Sequence, residues 1–168
     1  MDQATTANLQ QQFQAYAPPD EDKPLGGYGV LMGVFGTVCT GALIASRKRL
    51  PERIAAGDVA LLTVATHKLS RLIAKDKVTS PVRAPFTEFE ADAGPSEVEE
   101  TARGTGVRKA IGELLSCPFC IAQWVAAAAV FGLVYAPRPT RAVATIFAIV
   151  SGSDFLQIAY KAAQDKGL

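Results

Sequence analysis

The sequence is poor in the residues that build polar catalytic centres. Its 168 residues contain one histidine, His67, and three cysteines, Cys39, Cys117 and Cys120. One histidine excludes a multi-histidine metal centre, and three cysteines exclude the multi-bridge framework of a small secreted domain. Charge is scarce as well: charged residues make up 20% of the chain, against about 25% in soluble domains. The formal net charge of +1 excludes the marked basic excess of a nucleic-acid binder, so no nucleic-acid partner is expected. The N-terminal stretch lacks the basic region that opens a secretory signal, and no cleavage is expected. Gly104-Thr-Gly106 lacks the third glycine and the strand context of a dinucleotide loop. No cofactor is expected.

What the chain has instead is uncharged length. Leu25 to Ser46 is a run of 22 residues without a charge, and Leu114 to Ala136 is a run of 23. Each exceeds the roughly 20 residues needed to cross a hydrocarbon core. Residues 142–160 form a further apolar helix, and the short link Pro137-Arg-Pro-Thr-Arg141 makes it an antiparallel neighbour of the run before it. Residues 59–74 are apolar only in their first half, then carry His67, Lys68 and Arg71. That helix, with Asp58 as its cap, either spans with its cationic end snorkelling or lies in the interface. The expected fold is all-α: an integral membrane helical protein with three or four membrane helices. Residues 1–24 form a mobile N-terminal tail with at most a short helix over 7–16. Residues 25–46 form the first membrane helix, 58–160 a helical membrane domain with a cytoplasmic loop at 75–109, and 161–168 a C-terminal tail.

Basic residues set the orientation of membrane helices. Arg47-Lys-Arg-Leu-Pro-Glu-Arg53, taken locally, puts that cluster inside and the N-terminus outside. If residues 59–74 span, the basic residues favour an inside N-terminus. Both arrangements keep the loop 75–109 cytoplasmic. The six acids of residues 87–105, Glu88, Glu90, Asp92, Glu97, Glu99 and Glu100, nearly cancel the bases of that loop. Residues 87–105 read as a mobile loop, or as a short helix capped by Ser96 with Glu99 at its third position.

Four features could carry function. Cys117-Pro-Phe-Cys120 puts two thiols on the first turn of a helix, where free N–H groups favour thiolate. That geometry suits thiol–disulfide exchange, with Cys117 as nucleophile and Cys120 as resolving thiol. A cytoplasmic position would keep both reduced. Zinc wants four ligands, so no metal site within one chain is expected. The leading reading of the pair is packing under Trp124. Asp154, in the last helix, needs a partner in hydrocarbon, and His67, Lys68 and Arg71 are the candidates for an intramembrane ion pair. Pro81 and Pro85 push Ser80 and Ala84 toward extended backbone, making 76–86 a stiff strip on the membrane. From it Arg83 would reach lipid phosphate or a loop carboxylate, and Phe86 would anchor at the interface. Gly29 and Gly33, four apart, form a small-xxx-small face for helix packing.

The combined motifs resemble those of small bacterial membrane proteins in the domain-of-unknown-function family 1360. The resemblance rests on His67-Lys-Leu-Ser-Arg71, on Asp76-Lys-Val-Thr-Ser-Pro-Val-Arg-Ala-Pro-Phe86 and on Cys117-Pro-Phe-Cys-Ile-Ala-Gln-Trp124. It covers roughly residues 58–160 and implies a membrane protein, but no activity. The reading that follows is a small multi-pass protein of a bacterial cell membrane, bacterial or phage-encoded. It would act without catalysis as a subunit or scaffold of a membrane complex, touching lipid and protein partners or its own copies. Arg71, Arg83, Phe86 and Trp124 are the expected lipid or partner contacts. The alternatives are a membrane thiol–disulfide protein using Cys117 and Cys120, and an oligomeric pore or lysis-type protein.

Overall fold

The structure is a computed structural model that describes residues 16, 23–94 and 96–167. The tail expected over residues 1–24 falls almost wholly outside the described residues. The chain is mostly helical. Helix α1 is Leu25–Ser46, α2 is Ala56–Ala74, and a 3-10 turn at Lys77–Thr79 leads into a single-turn helix α3, Ser80–Arg83. Strands β1, Thr87–Asp92, and β2, Val98–Ala102, follow. Helices α4, Gly106–Ser116, α5, Pro118–Tyr135, and α6, Pro137–Asp165, complete the fold.

Among the described residues, α1, α5 and α6 are long and apolar enough to cross a membrane. Helix α2 packs along both α5 and α6. Side-chain pairs give the directions. Tyr28 of α1 bonds Glu113 of α4, Phe35 meets Trp124 of α5, and Arg49 lies over Tyr135 at the far end of α5. Asp58 of α2 pairs with Arg141 early in α6, and Lys68 pairs with Asp154 late in it. Helices α1 and α5 therefore run one way, and α2 and α6 the other. One end of the bundle carries the hairpin and α4. The other carries the 47–55 connection and the tight α5–α6 link.

The core between α2, α5 and α6 is built from Leu62, Ala65 and Ala144, with Leu133 and Phe147 against them. Alanine at the closest approach lets backbones come near each other, as membrane helix pairs require.

Four expectations are corrected. The fold is not all-α, because residues 87–105 hold a two-stranded antiparallel hairpin rather than a loop or a helix begun at Ser96. The hairpin is anchored to the end of α2: Val98 N–H donates to the Lys75 carbonyl (2.9 Å) and Lys77 N–H to that of Ser96 (2.8 Å). Second, the uncharged run 114–136 is two helices. Cys117 takes extended backbone (φ −105°, ψ 106°), the conformation that a following proline imposes, and α5 starts afresh at Pro118. Third, Ser80 and Ala84 are helical despite the prolines after them, so 76–86 is coiled tightly and not extended. Fourth, Asp58 does not cap α2, which starts two residues earlier behind Ala55; its carboxylate holds Arg141 instead.

Candidate functional site

Helix α2 ends with carbonyls that lack helical partners. The coiled segment after it supplies them. Thr79 Oγ1 donates to the Leu72 carbonyl at 2.5 Å, and Arg83 Nη1 donates to that of Ile73 at 2.7 Å. Arg83 is fully buried. Its Nε and Nη2 grip both oxygens of Glu100 at 2.7 and 3.0 Å, and Nη2 also reaches the Asp76 carbonyl and Ser80 Oγ, each at 3.1 Å. Thr87 Oγ1 donates to Glu100 at 2.8 Å. Every guanidinium nitrogen is thus used, which is the condition under which a buried charge is tolerated. Burial pushes the Glu100 carboxyl up, but the bonds from Arg83 and Thr87 outweigh it and hold the group below the usual carboxylate range.

This buried lock ties α2, the coiled segment and β2 together. Arg83 faces a loop carboxylate, one of its two expected partners, and is sealed from the lipid phosphate that was the other. Phe86 is half-buried, and its carbonyl accepts the Arg103 N–H at 2.9 Å. Gly112 of α4 comes so close to the Phe86 carbonyl that a Cβ there would collide with it and with Ala102.

Three further acids of this segment pair in turn. Glu97 takes a forked bond from Arg71 at 2.6 Å, Glu99 meets Lys75 at 2.6 Å, and Asp92 meets Lys77 at 2.8 Å. Arg71 is thereby directed to Glu97 and not to Asp154. Lys68 holds Asp154 at 2.8 Å, while the ring of His67 stacks on Phe155 with centroids 6.2 Å apart. Asp76 lies in the same layer. Burial, opposed by Lys68 and reinforced by Glu97 and Asp154, holds its carboxyl above the usual range.

The thiols stand at the same end. Cys117 caps α5, its Sγ accepting the Cys120 N–H at 3.3 Å. Both thiols are free. Cys120 lines a cavity of about 300 Å³ between α1, α4 and α5, together with Tyr28, Glu113, Gln123 and Trp124. Trp124 meets Phe35 edge-on at 5.0 Å. The described residues contain no cluster of three or more His, Cys, Asp or Glu side chains suited to a metal ion.

Helix α1 joins the rest near its start. A Cβ at Gly27 would lie 2.7 Å from that of Ala110 and 2.8 Å from the Gly106 carbonyl oxygen. Gly29, Gly33, Gly36 and Gly41 meet nothing within 4 Å. Met32, Gly33, Gly36, Thr37, Thr40 and Gly41 line an open groove.

Residues that sequence reading had not singled out as partners include Thr79, Tyr28, Glu113, Gly27 and Gly112. The one signal available was the row of polar residues, Thr79, Ser80 and Arg83, inside a proline-marked strip.

The sporulation protein YjcA of Bacillus subtilis (strain 168) is 44% identical to this chain over 71 residues. That match covers 40% of this chain and 60% of the relative, so less than two thirds of the relative is spanned. No solved structure matches. The profile described as "Protein of unknown function (DUF1360)" matches residues 61–160, which takes in the Arg83 lock, the Lys68–Asp154 layer and the Cys117–Cys120 turn, and the chain belongs to that family.

Proposed function

We propose that the protein is a multi-pass component of a bacterial cell membrane that assembles without catalysis, through α1, with a membrane partner or with its own copies. The observation that carries this reading is the open glycine face of α1. Glycine at four positions lets a second helix backbone come close, which is how helices associate where lipid supplies no hydrophobic drive. The polar side chains support it from the other direction: Glu97, Glu99, Asp92 and Glu100 are engaged by Arg71, Lys75, Lys77 and Arg83 in turn and are not gathered around a reacting centre.

In this reading α2 crosses with α1, α5 and α6. Of the 17 Lys and Arg residues, only Arg47, Lys48, Arg49, Arg53, Arg138 and Arg141 lie toward the end opposite the hairpin. The excess at the hairpin end makes that end cytoplasmic, with the start of α1 and the end of α6 inside. The relative's name supports a role in sporulation, which deletion of the gene and a heat-resistant spore count would examine.

The direct test is association. Gly33→Ile together with Gly36→Ile should abolish co-purification of the partner, or of a differently tagged copy, while the thermal midpoint stays within a few degrees. Unchanged association would refute the α1 interface. A thiol role is the second reading, favoured by Cys120 lining a cavity beside its partner cysteine. It requires Cys120→Ser to trap a mixed disulfide on Cys117.

A further inference from the structure

The segment from Lys77 to Pro85 has its polarity turned inside out. Thr79, Ser80 and Arg83 point inward and supply the lock. Val78, Pro81, Val82 and Pro85 point outward, with Val78 77% and Val82 65% exposed. At spacings of three and four along a helical coil, these four share one face. A coil of this kind facing water would show the opposite pattern, and a contiguous exposed apolar face marks a contact with lipid or protein.

Its depth favours lipid. Asp154 lies about 26 Å along α6 from Pro137, at about 1.5 Å per residue, close to the roughly 30 Å of a hydrocarbon core. The Lys68–Asp154 pair therefore stands near the edge of the core. Leu72 and Ile73, which accept bonds from Thr79 and Arg83, are about one turn further out on α2. The chemistry of the face agrees. Pro81 and Pro85 have no N–H to leave unpaired, and the Ala84 and Phe86 N–H groups bond back to Ser80 and Arg83 at 2.8 and 2.7 Å. None of the four residues on the face is a Trp, Tyr or Arg of the kind that anchors protein interfaces; Arg108 borders the face, its guanidinium donating to the Pro85 carbonyl at 2.8 Å.

We propose that the 77–85 coil is an interfacial membrane anchor. Val78, Pro81, Val82 and Pro85 sit in the headgroup–acyl boundary of the leaflet at the hairpin end. The buried Arg83–Glu100 pair is what allows the coil to present its apolar side outward. The inference rests on the membrane reading above and names a lipid contact outside the spanning helices.

The test uses the full chain, with Cys39, Cys117 and Cys120 replaced by serine, in phosphatidylcholine–phosphatidylglycerol vesicles with or without bromine on acyl carbons six and seven. An environment-sensitive fluorophore is placed on Val78→Cys, Val82→Cys, Ile149→Cys or Glu90→Cys. Ile149 reports on the spanning helix and Glu90 on water. The expected result is that labels at 78, 82 and 149 lose most of their emission to brominated lipid while 90 does not. If 149 is quenched but 78 and 82 respond only to aqueous iodide, the anchor is wrong and the membrane reading stands. If 78 and 82 are shielded from both quenchers, a protein covers the face and the lipid assignment is overturned. If 149 also escapes quenching, the membrane reading falls and the anchor with it. A second measurement needs no substitution: a phospholipid with a diazirine near the glycerol end of its acyl chain should mark residues 77–86 of the native protein, and adducts confined to α1, α5 and α6 would overturn the proposal.

Discussion

Around Arg83 a fully buried guanidinium has a partner for every nitrogen, whereas a Cβ at Gly29, Gly33, Gly36 or Gly41 of α1 would meet nothing within 4 Å. The two regions also differ in the family match. The lock lies within the family match at 61–160, and α1 lies outside it. The contrast shows that the polar side chains of the most motif-like stretch hold the chain together. Its Thr, Pro and Arg close the end of α2 and fasten the hairpin there. The partner surface proposed above is on α1, the helix that the family match does not include.

The largest expected effect tests whether the lock is structural. Arg83→Ala would leave Glu100 charged and buried, at a cost of about 3–5 kcal/mol, and would abolish cooperative unfolding in detergent. Arg83→Met combined with Glu100→Leu, which removes both charges, should recover much of that loss. If Arg83→Ala unfolds with a normal midpoint, the lock contributes nothing and the comparison fails. Next come the close approaches. Gly112→Ala, forced against the Phe86 carbonyl and Ala102, should cost about 1–3 kcal/mol, and Gly27→Ala at the α1–α4 contact a similar amount. Alanine at Gly29 or Gly33 should shift stability by no more than about 0.5 kcal/mol, because nothing stands there. Equal midpoints for Gly27→Ala and Gly29→Ala would erase the distinction between the docked and open parts of α1.

The pH dependence sharpens the same point. The folded state holds the Glu100 carboxyl below its unfolded value, so the pair's contribution is present above that value and lost as pH falls through the lower folded one. Thermal midpoints measured downward from pH 6 should therefore fall most steeply below about pH 4, near and under the ordinary glutamate value. Glu100→Gln should flatten that slope. The smallest effect is expected at the rim. Lys75→Ala breaks a pair whose Glu99 side chain is 51% exposed and should cost no more than about 1 kcal/mol.

Parts of this molecule were legible without coordinates because they depend on local composition. Uncharged length announced α1 and α5, apolar composition announced α6, and the short Pro137–Arg141 link made the last two antiparallel neighbours. The break at Cys117 was also written locally, in Pro118, but hydropathy continues across it and conceals it. The hairpin was hidden for another reason. Its strands hold five acids (Glu88, Glu90, Asp92, Glu99, Glu100), and the apolar residues that alternate with them in β1, Phe89 and Ala91, are exposed, so no buried apolar face marks it as a strand. They become strands only because Lys75 and Lys77 offer backbone partners and cations at the end of α2.

The assignment of partners depended on the tertiary structure in the same way. Sequence spacing offered His67, Lys68 and Arg71 to Asp154 as equals. Folding gave Lys68 to Asp154 and turned Arg71 toward Glu97, because the hairpin stands on that side of α2. Of the two partners expected for Arg83, lipid phosphate and a loop carboxylate, folding chose the carboxylate of Glu100 and sealed the pair inside. The sequence by itself determined where the chain is apolar enough to cross a membrane, since that is a sum over neighbouring residues. Only the tertiary structure decided which charges are paired and which glycines are crowded, since those are distances between segments far apart in the chain.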